Sequence, residues 1–125
     1  MPKRPVGTGL RPAPALVMAA LIVTMGSARA DLAPDATALE AAVYAYGIAE
    51  YCGLVDQAVY DGFAREVRAI VAAEGLSDDE VKSQRYNGAL ALEYEIGDRG
   101  LGGYRPWCRE DGVAAAERFR AVTTP

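Results

Sequence analysis

The chain holds only two cysteines, Cys52 and Cys108, and it opens with a segment that reads as an export signal. Together these constrain the fold more than any other feature, because an exported chain meets an oxidising compartment in which a lone pair of thiols becomes a disulfide. The expected Cys52–Cys108 bond closes a long loop, which in the chain-entropy account contributes up to about 4 kcal/mol. Any fold must therefore bring the middle of the chain beside a point near its end.

The signal occupies residues 1–30. Lys3, Arg4 and Arg11 precede the apolar run ALVMAALIVTMG at residues 15–26, and Ala28-Arg29-Ala30 supplies small residues at both recognition positions of a cleavage site. That run is about twelve residues long, against the roughly twenty that a membrane span needs, so no stable span is expected after cleavage. No cysteine follows the cleavage site to carry lipid, and no twin arginine precedes it. The mature chain is expected to begin at Asp31, to form a single domain over residues 31–125, and to be periplasmic or secreted. It keeps nine basic and all seventeen acidic residues, a net charge of −8. Such a charge disfavours nucleic acid and anionic lipid surfaces as partners.

Beyond the signal the pattern is helical. Residues 35–51, DATALEAAVYAYGIAEY, place Leu39, Val43 and Tyr46 on one stripe and Ala41, Ala45, Ile48 and Cys52 on the next, with Asp35 or Thr37 as cap and Gly53 as stop. The clearest period follows, with Val55, Val59, Phe63, Val67, Ile70 and Val71 recurring at three and four residues up to Gly75. Ser77 with Glu80 makes a capping box for a third helix, predicted to run to about Gly97 and to be strongly apolar from Ala89 to Ile96. Gly97, Gly100, Gly102 and Gly103 then interrupt the chain, and Pro106 suits the first turn of a fourth helix over residues 105–122, with Cys108, Ala115, Phe119 and Val122 inward.

These elements predict an all-α fold: a small four-helix up-and-down bundle stapled by one disulfide, after an N-terminal signal peptide. In that topology the end of the first helix and the start of the fourth share a pole, where the two cysteines fall. Each helix also holds a glycine in or near its interior, at Gly47, Gly62, Gly88 and Gly112, each costing about 1 kcal/mol against alanine. Close approach of helix backbones accounts for them; a ligand-lined cavity is the alternative.

The absent residues narrow the chemistry. The chain has no histidine, and all three methionines lie within the first thirty residues. This removes haem with ordinary axial ligands, histidine-dependent zinc and copper sites, and Ser-His or Cys-His nucleophile pairs. The loop from Asp98 fails the twelve-residue calcium pattern, since Gly100 and Gly102 stand third and fifth and Arg109 stands twelfth. Glu95 and Asp98 are the nearest carboxylate pair and read as a solvated helix end. No cofactor, metal ligand set or catalytic residue is expected, and the chain reads as non-enzymatic.

Two groups of residues remain as candidate sites. Arg99, Arg105 and Arg109, with Tyr104 and Trp107, surround the glycine loop just before a helix start, an arrangement suited to a small anionic ligand bearing a carboxylate, sulfate or phosphate. Alternatively, these arginines pair with Glu95, Asp98, Glu110 or Asp111, or cover Trp107 and Tyr104 with their stems. The other group comes from the seven tyrosines. Tyr44 and Tyr51 lie on the side of Glu40 and Gly47, away from the stripe assigned to the core, and suit contact with a protein partner.

The leading expectation is thus a protein-interaction module, followed by an anionic-ligand binder. A third is acid-stress protection, because protonation of seventeen carboxylates would swing the mature charge towards +9. In size, disulfide count and helix content the chain is similar to small acid-stress chaperones of bacterial envelopes, without a shared motif.

Overall fold

The computed structural model describes residues 32–100 and 104–122, together with Gly9. The expected signal peptide, Gly9 apart, lies outside the described residues, as do Gly102 and Gly103. Every regular element among the described residues is helical: α1 (Ala38–Tyr51), α2 (Gln57–Glu74), α3 (Asp78–Arg99), α4 (Tyr104–Trp107) and α5 (Val113–Arg120). A single π-helical turn, Cys108–Gly112, joins α4 to α5 into one continuous rod.

Local chemistry sets the ends. Thr37, rather than Asp35, caps α1: its hydroxyl accepts from the Glu40 amide at 3.2 Å, and its own amide donates to the Glu40 carboxylate at 3.1 Å. Asp56 caps α2 by accepting from the Val59 amide at 2.9 Å. The Ser77–Glu80 box forms as the sequence indicates. Helix α3, however, passes through Gly97 and stops at Gly100, where φ is +60°. A glycine weakens a helix without ending it; the positive φ at Gly100 is what turns the chain away.

Helix α1 is the shared wall of the molecule, packed against α3 on one side and against α2, α5 and the π turn on the other. Towards α3, Thr37 donates to Gln84 at 2.9 Å, Glu40 accepts from Asn87 at 3.2 Å, and Gly47 faces Leu92. Residue numbers rise together along this seam, so α1 and α3 run parallel. Towards α2 and α5, the Tyr46 ring stacks on Phe63 with centroids 4.1 Å apart and meets the edge of Phe119 at 6.1 Å, while Phe63 and Phe119 meet edge to face at 5.6 Å. Ile48 and Val59 are fully buried in the same core cluster as Phe63 and Phe119, and Leu39 is fully buried as well.

The periodicity of α2 carries over into the packing: Val59 and Phe63 are buried, and Val55, Val67 and Ile70 pack against the core. The final rod likewise buries Ala115 and Phe119 and turns Cys108 to the core. The apolar Ala89–Ile96 stretch of α3 meets the core on one side only: Ala91, Leu92 and Ile96 pack against it half-buried, and of the whole helix only Gly88 and Glu95 are fully covered. The reason is position: α3 packs along α1, touches Phe63 and Trp107 only through Arg85 and Arg99, and leaves the side of Tyr86 and Tyr94 to solvent.

The interior glycines are packing devices. At Gly62 an added Cβ would run into the Phe119 carbonyl, and at Gly88 it would stand 2.7 Å from the Glu40 carbonyl oxygen. Both positions oppose backbone, which cannot rotate aside. Close helix approach, rather than a cavity, is what these two glycines provide.

Candidate functional site

Cys52, just past the end of α1, and Cys108, at the start of the π turn, form the disulfide, with S–S 2.05 Å and Cα–Cα 5.4 Å. Gly112, one wide turn on, lies under it: a Cβ there would stand 2.9 Å from Cys52 Sγ. The residue before each cysteine is aromatic. Tyr51 and Trp107 approach to 5.9 Å between centroids, and Tyr104 stands 5.2 Å from Tyr51. These rings and the sulfur bridge make one block at the pole where the sequence placed the cysteines.

The end of α3 is locked onto this block. The Arg99 guanidinium lies over the Trp107 ring at 4.3 Å and pairs with the Glu95 carboxylate one turn earlier on α3. Glu95 is only 6% exposed and Trp107 3%. Tyr104 closes the corner, its hydroxyl donating to the Ile96 carbonyl at 3.1 Å. Partial desolvation first, and then the hydrogen bond its neutral hydroxyl donates to Tyr104, hold the Tyr51 phenol above its ordinary pKa.

The five residues expected to hold an anion are therefore not a converging set. Arg99 is engaged by Glu95 and Trp107, Trp107 is buried, and Tyr104 is spent on a backbone carbonyl. Arg105 and Arg109 are exposed and make no ion pair with any described residue. They are the pair left free for an anion, one turn apart on the surface. A pocket of about 120 Å³ lies elsewhere, lined by Leu32, Ala33, Pro34, Ala36 and Ala41, and is smaller than the roughly 300 Å³ at which ligand sites begin. No group of side chains able to hold a metal ion occurs among the described residues, and none of the described helices is long and apolar enough to cross a membrane.

The tyrosine face expected on α1 is also corrected. Tyr44 is 2% exposed, because the side that carries Glu40 and Gly47 is the side on which α3 lies. Tyr51, 45% exposed, remains accessible, although its ring is tied into the disulfide block. The open tyrosines stand on α3 instead: Tyr86 is 65% and Tyr94 67% exposed. Their eight-residue spacing, with Leu90 midway, is visible in the sequence. It is concealed there by the apolar Ala89–Ile96 stretch, which reads as core until α1 is known to have both sides covered.

Set against known proteins, the chain matches no family, no curated protein and no solved structure. Its function must be argued from this geometry alone.

Proposed function

We propose that the chain is an exported, non-enzymatic protein-interaction module: a four-helix up-and-down bundle, fastened by its disulfide, that meets a protein partner in the periplasm or outside the cell. One observation carries this reading. Two tyrosines of α3, each about two-thirds exposed, share a face that no other described element covers. Tyrosine offers a large amphipathic contact at low entropic cost, so such a face suits protein recognition. The oxidised cysteines and the absence of histidine support a binding role over a catalytic one.

The test is site-specific photo-crosslinking in producing cells. A benzoylphenylalanine in place of Tyr86 or Tyr94 is expected to give a discrete protein adduct, and one in place of Glu117, exposed on α5, is expected to give none. Adducts absent at both tyrosine positions, or equal at all three, would end this reading.

A second reading, acid-stress protection, is favoured by a different observation. The contact between α2 and α5 carries two carboxylate–arginine pairs, Glu66–Arg118 at 2.5 Å and Asp56–Arg120 at 2.9 Å, and acid dissolves the second as Asp56 is protonated. If the reading holds, the protein suppresses aggregation of an unfolded client between about pH 2 and 3, well below ordinary carboxylate pKa values; a client that aggregates as fast with it as without it excludes the idea.

A further inference from the structure

The open side of α3 is symmetric in side-chain size. At 3.6 residues per turn, the side away from Gly88, which lies against α1, carries Ser83, Tyr86, half-buried Leu90, Tyr94 and Gly97, with the acidic Asp79 and Glu93 beside them. Counting from Leu90 in either direction, a tyrosine stands four residues away and a small residue seven away. Leu90 takes no part in the core cluster. Tyr86 and Tyr94 are the two most exposed large apolar residues described.

We propose that this face seats a second copy of the chain, α3 against α3 in antiparallel sense, about a two-fold axis passing Leu90. The proposal rests on the interaction-module reading and names its partner. A two-fold axis pairs a surface with itself, so the pattern must be self-complementary. Here Leu90 meets Leu90, Tyr86 comes level with the copy's Tyr94, and Ser83 comes level with the copy's Gly97. The rings stack around an apolar centre, and the small residues beyond them let the two backbones approach.

Charge obeys the same symmetry. On the helix, Lys82 and Glu93 lie on one flank of the stripe, and neither has an ion pair with a described residue of its own chain. An antiparallel two-fold brings like flanks together in opposite directions, setting Lys82 of each chain towards Glu93 of the other. The axial offset is about 7.5 Å, which the four-carbon lysine stem spans. A parallel two-fold would instead bring opposite flanks together and leave Lys82 of each chain on the far side of the interface from Glu93 of the other. One helix face buries less than the roughly 800 Å² per partner of a standard interface, so the association is weak and concentration-dependent.

Sedimentation equilibrium of natively purified, oxidised protein tests this. With rising concentration the mass is expected to move from one chain to two. Leu90→Lys should raise the dissociation constant at least about tenfold while leaving the helical circular dichroism and melting temperature unchanged, since Leu90 lies outside the core. Lys82→Glu should weaken association about threefold or more, and Lys82→Glu with Glu93→Lys should restore it to within about twofold. A single-chain mass at every concentration, or a dimer indifferent to Leu90→Lys, overturns the proposal. If the mass stays single while photo-crosslinks from position 86 capture a different protein, the second copy falls and the interaction module stands. If neither association nor crosslink occurs, both fall.

Discussion

The glycines show at single-residue scale how tightly the helices are drawn together. Alanine at Gly62 gains about 1 kcal/mol of helix propensity but forces a methyl group into the Phe119 carbonyl. Overpacking against backbone costs about 1–3 kcal/mol and sometimes more, so Gly62→Ala should be destabilised by about 1–2 kcal/mol net in urea unfolding. Gly97→Ala should move the other way, gaining up to about 1 kcal/mol, because Gly97 lies inside α3 with nothing within 4 Å of the added carbon. Equal effects at the two positions would remove the close-approach account. Sequence alone marks these residues as unusual for a helix. It does not distinguish them, since the difference is a carbonyl from an element more than fifty residues away at one position and solvent at the other.

Among the elements, the disulfide and the π turn act as a fastening between α1 and the final rod. Reducing the bond frees a loop whose ends are separated by 56 residues, and the chain-entropy account puts its contribution at about 4 kcal/mol at most. Cys52→Ser with Cys108→Ser is expected to lower the unfolding free energy by about 2–4 kcal/mol, read from denaturant midpoints beside the oxidised parent; an unchanged midpoint would refute the fastening role. The cysteine pairing, the capping box at Ser77 and the inward stripe of α2 were all legible in the sequence, because each depends on residues close in the chain or on a pair with no alternative. The status of α3 was not. Its apolar run resembles a core stripe, and only the position of α1 between two layers leaves Tyr86 and Tyr94 outside and Leu90 half-buried while covering Tyr44. At the arginine loop the alternative reading holds for Arg99, which pairs with Glu95 and covers Trp107, although spacing alone does not settle which of several carboxylates it takes.

At the scale of the whole molecule, acid acts unevenly. The Val59 amide and then the Arg120 guanidinium hold the Asp56 carboxyl below its ordinary pKa, and the Ser77 amide and hydroxyl do the same for Glu80. A carboxyl whose folded pKa is depressed contributes stability that is present above the unfolded value and lost as pH falls through the folded one. The melting temperature should therefore stay level from neutral pH down to about pH 5 and decline from about pH 4 downward. Asp56→Asn should melt below the parent at neutral pH, and the gap should narrow as pH falls and the parent's Asp56 takes up its proton. Curves that stay parallel throughout would mean that Asp56 is not part of the acid response. The loss also has a direction. Asp56 and Glu66 tie α2 to Arg120 and Arg118, and Arg65 donates to the Val122 carbonyl at 3.4 Å, whereas the other end of the rod is held covalently at Cys108. Protonation of Asp56 thus loosens the free end of α5 and leaves the disulfide end in place, exposing the Tyr46–Phe63–Phe119 centre first. Near-ultraviolet circular dichroism should fade near pH 2–3 while the far-ultraviolet helical signal and the oxidised Cys52–Cys108 bond persist; simultaneous loss of both signals would show that the rod leaves as a unit.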